Sequence, residues 1–591
     1  MTLDSITQMI VQVVRCPYFQ ILGTLWLTYS YLLFKGGHVS DDIAGIEQYD
    51  GTLMYPDDKG VKVRKVSYGT LSKWVRYHLC GGHFPSRHHY KKQDGSLGDA
   101  IPSGKVSTHH HALSVVCQSI AVILLYQFLL TVTTPQIALF TTLLFIVHPT
   151  CVQAVGWPSA IGYVLSLICI CASLLIANWT ITQSSWMMIL GIGGLAFFSV
   201  WGVYAQAIPM FTWVILLVLG QWQMALVAAI FSGLAASRNL REYVVHRKEE
   251  FAKQKMGEST KLSFRKPIVA LKTLAYYVYL AVWPNRLGLY HRWGFHYDKK
   301  MELWDWRAIC GGLFLLCCVG LFGVSGIEVR LGIVWFIIFL TLFLNWITAQ
   351  QWVTERYLYI PVIGLCLITA YVLQGHPSVY WFIFGMMMCR TLVHMPTYEN
   401  ELKFYLSNTW NFDKSEVAFG NLGVTYAGAG LTGAANDMWL VAGSINPEYD
   451  VPFYNMFSRA KSQGMIAIQN GAYEHGLQML SQAIPLMEKV LKCKVLHFPE
   501  VWTKELADLR EMLSNPVNFL VNELGRLYQL RAVLNSELST TSDKKRQGEL
   551  IVSVTNNDAQ ITNLQNYLAS KGVKVDFNPE RALLGKLTPG V

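Results

Sequence analysis

The chain has 591 residues, of which 52% are hydrophobic and only 15% are charged, and its formal net charge is +10. The charged share is well below the ~25% of a soluble domain, and several apolar runs approach ~20 residues, so the sequence predicts a polytopic membrane protein. No basic helix or aromatic–basic repeat indicates nucleic-acid binding, and we assign the positive charge to topology and to lipid-headgroup contact.

The predicted fold class is all-α, with a polytopic helical membrane domain of about eleven spans and a C-terminal helical domain. No small-residue cleavage site follows the first apolar run, so residues 1–34 are expected to keep an N-terminal transmembrane helix. Runs of about 20 apolar residues identify the spans. They fall at roughly 17–34, 112–132, 135–156, 159–178, 186–205, 208–235, 267–284, 307–325, 330–349, 356–374 and 377–393.

The long polar segment 35–111 is the first predicted loop. It begins with the adjacent acids Asp41 and Asp42 and ends on His109–His111. Because it is much longer than most connections in this chain, it is expected to carry function. Lys, Arg, Trp and Tyr residues alternate within it, which predicts an interfacial helix over 67–80 that contacts lipid phosphates.

No metal-ligand pattern is present in this loop. Its many histidines are mostly adjacent to one another, so they cannot all face one ion, and no HExxH spacing occurs. No cofactor is therefore predicted with a defined ligand set. A divalent metal bound by the carboxylates of Asp41 and Asp42 stays open as an alternative.

The loop after the sixth span sets the predicted orientation. Residues 238–266 carry nine Lys or Arg and four Glu, and a short loop this basic is expected in the cytoplasm. An even number of spans precedes it, so the N-terminus is expected in the cytoplasm too. The first loop and the C-terminal domain would then face the periplasm or lumen.

From about Met395 the composition becomes that of a soluble helical domain, which we predict over 395–591. The run Asn421–Tyr426, followed by Gly430, has the Leu-Gly-x-x-Tyr core of a tetratricopeptide helix. A second half-unit begins at Gly471, which is 41 residues after Gly430, whereas the repeat period is about 34. Two degenerate repeats with an insertion are therefore predicted, and such solenoids present a concave face to a peptide.

Four motifs in order carry a resemblance to a known family. They are Asp41–Asp42, Phe145–Pro149, Trp283–Leu287 and Thr354–Gly364, and the repeats follow them. This order resembles the transmembrane and tetratricopeptide-repeat-containing (TMTC) proteins and their prokaryotic relatives, which are membrane glycosyltransferases of the GT-C superfamily. The resemblance covers nearly the whole chain, and its most specific part is the Glu-Arg-Tyr-x-Tyr-x-Pro run within the fourth motif.

The resemblance implies a GT-C-like membrane domain over 112–394, a sugar donor linked to polyprenyl or dolichyl phosphate, and a protein acceptor presented with help from the repeats. Asp41 or Asp42 would be the catalytic base. Arg356, Arg87 and Glu355 would form the donor-phosphate site. Transfer to a hydroxyl does need a carboxylate to take the proton and cations to stabilise the departing phosphate. As an alternative, Glu355 and Arg356 flank a span and pair locally.

Three positions depart from the family pattern. Gln153 stands where the family has Glu, Ile161 where it has Arg, and Tyr163 where it has Asp. Glutamine cannot act as a base and isoleucine cannot hold a phosphate. Two functions therefore stay open: a glycosyltransferase acting on a protein hydroxyl, or a catalytically degenerate GT-C-like protein that serves as a structural or assembly subunit of a membrane complex.

Overall fold

A computed structural model describes residues 12, 15–37, 39, 54–56, 62–64, 79–80, 104–183, 186–198, 208–253, 266–289, 291, 305–345, 353–493 and 499–573. These residues are almost entirely helical, which confirms the predicted all-α class in its coarse form. The exception is a short antiparallel pair of strands, in which β1 (Met54–Pro56) pairs with β2 (Lys62–Arg64).

The helices fall into two compact units, whose main division lies between Ala435 and Asn436. Before it come α1 Pro17–Lys35, α2 Gly104–Leu130, α3 Pro135–Val147, α4 Val152–Gly156, α5 Ile161–Gln183, α6 Trp186–Phe198, α7 Thr212–Val218, α8 Trp222–Lys253, α9 Lys266–Val282, α10 Trp306–Val324, α11 Ile327–Leu340, α12 Val362–Leu373, α13 Pro377–His394, α14 Glu401–Asn411 and α15 Glu416–Gly428. The division falls inside α16 Thr432–Ile445. After it come α17 Asp450–Gln469, α18 Tyr473–Lys492, α19 Pro499–Ser514, α20 Pro516–Thr540 and α21 Lys544–Ser570.

Three helices among the described residues are long and apolar enough to cross a membrane, namely Thr108–Leu130, Pro158–Trp179 and Trp306–Val324. α3 and the segment Pro149–Gly156 are bent by 59° and would make a fourth span if the pair acts as one. This part of the chain is therefore compatible with membrane residence. The finer prediction of about eleven spans is not confirmed.

Two of the predicted spans are interrupted helices in the structure. The predicted span 135–156 bends after α3, because Pro149 has no N–H with which to continue the helix. The predicted span 208–235 is divided into α7 and α8 by Gly220, whose φ of +75° is a left-handed conformation that ends a helix. Apolar composition alone does not detect either break.

The C-terminal end of α3 is buried in the first unit and is held by hydroxyl groups from other helices. Tyr29 of α1 donates to the carbonyl of Ile146 at 3.3 Å, and Thr391 of α13 donates to that of Val147 at 2.6 Å. The last carbonyls of a helix lack intrahelical partners, so these bonds replace those that the bend at Pro149 removes. They fix α1 and α13 against α3 at the level where the chain turns.

In the second unit, α17 and α18 form a closely packed helical hairpin. A Cβ atom on Gly476 would lie 2.6 Å from the carbonyl oxygen of Gly464, so this approach requires glycine. The turn between the helices contains Gly471, whose φ is +85°. Leu480 of α18 and Leu524 of α20 are fully buried in the core that the later helices complete.

Candidate functional site

The acidic pair Asp41–Asp42 and the cation Arg87, three residues of the predicted site, lie outside the described residues. The last described residue before the acidic pair is Val39. Its carbonyl accepts a hydrogen bond from the indole N–H of Trp157 at 3.0 Å. The start of the first predicted loop is thus anchored to the segment between α4 and α5. This segment lies between Gln153 and Ile161, two of the departures from the family pattern.

The other end of that loop is helical. α2 begins at Gly104, so His109–His111 lie inside a helix rather than in the loop. Nε2 of His111 lies 3.2 Å from the carbonyl oxygen of Gly37, which brings the two ends of the predicted loop together. Within the described ranges, no group of three or more His, Cys, Asp or Glu side chains could hold a metal ion.

A tight turn directs Glu355 and Arg356 to different surroundings. Thr354 has an extended backbone, and a 3-10 helix over Glu355–Leu358 follows it directly. The amide of Tyr357 donates to the carbonyl of Thr354 at 3.2 Å. As a result, Glu355 is completely buried, whereas Arg356 is half-buried.

The Glu355 carboxylate joins segments that are distant in the sequence. Its Oε1 accepts a hydrogen bond from the amide of Gly288 and lies 3.3 Å from Nε2 of His291. Its Oε2 lies 3.4 Å from Nε2 of His394 at the end of α13. The other ring nitrogen of His291 lies 2.8 Å from the hydroxyl of Tyr276. A fully buried carboxylate with these partners can hold the segments together and offers no exposed edge to a substrate.

The pKa of Glu355 lies below its ordinary value. Burial alone raises the pKa of a carboxyl, but the hydrogen bonds and electrostatic attraction of His291 and His394 outweigh that effect. The carboxylate is therefore ionised near neutral pH. Its buried charge is stabilised by its histidine neighbours.

The guanidinium of Arg356 stacks on two aromatic rings. It lies 4.9 Å from the ring centre of Trp157 and 5.2 Å from that of Tyr357, and its Nη1 donates to the hydroxyl of Thr354 at 3.0 Å. Cation–π contacts of this kind hold the planar group in one orientation. Because Arg356 is only half-buried, its guanidinium is suited to binding an anion such as a phosphate.

Gln153 anchors the backbone of this turn. Its side chain is fully buried, and its Oε1 accepts from the hydroxyl of Thr354 at 2.6 Å and from the amide of Arg356 at 2.8 Å. A neutral amide oxygen makes both bonds without placing a further charge in the interior. The first departure from the family pattern therefore lies directly beneath the predicted phosphate-binding arginine.

The other two departures are packing residues of α5. Ile161 and Tyr163 are both almost completely buried, and the centre of the Tyr163 ring lies 6.3 Å from that of Tyr357. Two of the three departures, Gln153 and Tyr163, thus contact the turn that carries Arg356. Neither side chain supplies a charge there.

Sequence reasoning did not identify His291 and His394 as partners of Glu355. Neither histidine lies in a recognisable motif, and His291 is 64 residues away from the glutamate. One signal does exist in the sequence: a glutamate within an apolar motif needs a buried partner, because an isolated buried carboxylate is very costly. The identity of that partner depends on how distant segments pack, and local pattern does not show it.

No protein-family model matches the chain, and no curated protein matches it. The resemblance to GT-C glycosyltransferases therefore rests on the motifs themselves.

Proposed function

We propose that the chain is an integral membrane glycosyltransferase of the GT-C type, which transfers a sugar from a polyprenyl- or dolichyl-phosphate donor to a hydroxyl group of a protein. One observation supports this proposal above the others. The half-buried guanidinium of Arg356 stacks on Trp157, and the indole of that residue binds the carbonyl of Val39. Asp41 follows Val39 by two residues in the sequence.

In this proposal each residue has a separate role. Arg356 binds the donor phosphate through its planar fork, with Arg87 as a further cation. Asp41 or Asp42 accepts the proton of the acceptor hydroxyl, directly or with a divalent metal held by the pair. Glu355 positions the turn and does not touch the phosphate, since it is fully buried between imidazoles.

The proposal also includes a topology and a partner. The membrane domain has about eleven spans, the N-terminus is cytoplasmic, and the C-terminal domain lies in the periplasm or lumen. The pairs α15–α16 and α17–α18 act as degenerate tetratricopeptide-like repeats that present the acceptor protein. The α17–α18 hairpin supports this assignment, because its helices pack closely and Gly471 in its turn has a φ of +85°.

The test uses the full chain in sealed vesicles supplied with radiolabelled polyprenyl-phosphate hexoses and a peptide acceptor rich in Ser and Thr. The double substitution Asp41→Asn and Asp42→Asn is expected to reduce transfer by about 10²-fold or more. The matched control is the same double substitution, Asp57→Asn and Asp58→Asn, in a second acidic pair of the same loop. Undiminished transfer in the first double variant would reject the proposal.

Arg356→Ala gives an independent arm of the same test. It should lower transfer and also reduce the amount of polyprenyl phosphate that copurifies with the protein. Arg330 is the matched control, because its guanidinium also lies over an aromatic ring, 5.8 Å from the centre of Phe322. Equal lipid retention in both arginine variants would show that Arg356 does not bind the donor.

A non-catalytic structural subunit is the second candidate function, and the role of Gln153 favours it. The family places an acid at this position, whereas here a neutral amide supports the turn through Thr354 and Arg356. This candidate predicts no transfer by the wild-type chain with any hexose donor and a stable protein partner after mild solubilisation. Transfer that depends on Asp41 and Asp42 would exclude it.

A further inference from the structure

α14 carries an exposed apolar stripe on the side opposite its buried face. Leu402, Leu406 and Trp410 recur at four-residue intervals and are exposed, with Trp410 exposed to 89%. Phe404 and Asn408 on the other side are fully buried. A helix with two apolar faces, one of which stays uncovered, exposes surface that a purely water-facing helix would not carry.

The C-terminal end of α14 is tied to the end of α9. The side chain of Asn411 donates to the carbonyl of Leu287 at 2.8 Å. Arg390, near the end of α13, donates at 3.0 Å to each of the carbonyls of Pro284 and Asn285. The ends of α9 and α13 and the C-terminus of α14 therefore lie at one level of the first unit.

The N-terminal end of α14 lies at the same level. It follows the short 3-10 helix Met395–Tyr398, which continues directly from α13. The carbonyl of Tyr398 accepts from the amide of Gly37 at 3.0 Å, which adds the end of α1. The 11 residues of α14 span about 16 Å, so the helix runs across the ends of α1, α9 and α13 rather than away from them.

Exposed aromatic, apolar and cationic residues surround these helix ends. Phe34 lies in the last turn of α1, Trp283 follows α9, and Val393 in the last turn of α13 is exposed to 72%. Lys35 and Arg286 are exposed beside them. Aromatic rings mixed with cations at the ends of apolar helices are typical of the membrane–water interface.

We propose that α14 is an interfacial helix, which inserts Leu402, Leu406 and Trp410 into the headgroup layer of a phospholipid bilayer. α13, the helix that leads into α14, also carries exposed apolar residues, among them Phe382 and Val393. A lipid surface accounts for both helices together, and Lys35 and Arg286 would contact its phosphates. The proposal rests on membrane residence of the candidate spans and does not depend on sugar transfer.

Site-specific photocrosslinking tests this assignment in the full chain, reconstituted into nanodiscs of phosphatidylcholine and phosphatidylglycerol. A benzoylphenylalanine replaces Trp410 in one variant. In a second it replaces Val319, exposed to 71% on the candidate span α10, and in a third Val533, exposed to 62% on α20 of the second unit. We expect phospholipid adducts by mass spectrometry at 410 and 319, well above the background that position 533 defines.

Each outcome decides the proposal. Adducts at 319 without adducts at 410, or crosslinks from 410 to a protein, overturn the interfacial assignment and leave membrane residence intact. The absence of lipid adducts at both 410 and 319 overturns the interfacial assignment and membrane residence together. A second readout avoids the photoprobe: in protein labelled with 5-fluorotryptophan, the ¹⁹F resonance that disappears in Trp410→Phe should be broadened by a headgroup spin-labelled lipid. An unbroadened resonance contradicts the proposal.

Discussion

Glu355 connects three segments of the first unit through a single buried carboxylate. Gly288 and His291 follow α9, His394 ends α13, and Glu355 itself begins the turn that carries Arg356. A buried charge is tolerated only while its partners are present, so this contact is costly to break. The turn that carries Arg356 is thus held in place by a residue that is itself fully buried.

The variant Glu355→Gln is expected to destabilise the first unit by about 1–3 kcal/mol at neutral pH, because His291 and His394 lose a charged acceptor. The lowered pKa of Glu355 sets the direction of the pH dependence. The carboxylate contributes fully above its ordinary pKa of about 4.3, and the contribution is lost as the pH falls through the lower folded-state value. The difference in thermal unfolding between wild type and variant should therefore shrink in acid.

Glu328→Gln is the matched control for that measurement. Glu328 lies partly exposed in the first turn of α11, where a carboxylate contributes about 0.5 kcal/mol through the helix dipole. Equal destabilisation by the two substitutions, or a Glu355→Gln effect that persists unchanged in strongly acid solution, would contradict the role given to the buried carboxylate.

Part of this site follows from the sequence and part does not. The family resemblance implies that the motif around Arg356 and the positions of Gln153 and Tyr163 belong to one region, and their side chains do contact one turn. The sequence does not predict that Glu355 is fully buried while its neighbour Arg356 is only half-buried. This difference depends on a change from extended to 3-10 backbone within two residues. Hydrophobic patterning does not resolve so short a feature.

At the scale of elements, glycines determine where helices end. Gly220, Gly430 and Gly471 all have positive φ, and each stands between two helices. The latter two are expected from the sequence as turns of the predicted repeats, and both do stand between helices. Gly220 lies within a run of apolar residues, where nothing in the composition signals a turn, so the sequence predicts one span over 208–235 where the structure has two helices.

Replacing Gly471 by Ala is expected to destabilise the α17–α18 hairpin by about 1 kcal/mol, because an L-residue is strained in the left-handed region. The new Cβ meets nothing closer than Nδ2 of Asn563 at 4.0 Å, so the cost lies in the backbone alone. Hydrogen exchange of the α18 amides in the full chain measures this effect. Exchange that stays as slow as in the wild type would contradict it.

Gly548→Ala is the matched control for the turn. Gly548 is exposed within α21 and has open space around it, so alanine should stabilise the helix by about 0.5–1 kcal/mol. The two substitutions add the same methyl group and are expected to act in opposite directions. Conformation, and not side-chain volume, would then account for the difference.

At the scale of the whole molecule, composition and packing divide the chain at different places. The sequence becomes polar and helical from about Met395, whereas the main division between compact units lies between Ala435 and Asn436. Composition reports which solvent the residues face. The division into units reports which helices pack together, and α14 packs on the first unit through Phe404 and Asn408.

The last prediction concerns the side of the membrane that each segment of the chain faces. Two segments lie on opposite sides when an odd number of spans separates them. Five predicted spans separate the segment 254–265 from the C-terminal end of α21, and an odd number places the two on opposite sides, with the basic segment in the cytoplasm. A site-specific protease sequence inserted within 254–265 should be cut only from the cytoplasmic face of sealed vesicles. The same sequence placed after Ser570 should be cut only from the opposite face. Cleavage of both from one face would require an even number of spans between them, and the C-terminal domain could then not present an acceptor to the loop that contains Asp41 and Asp42.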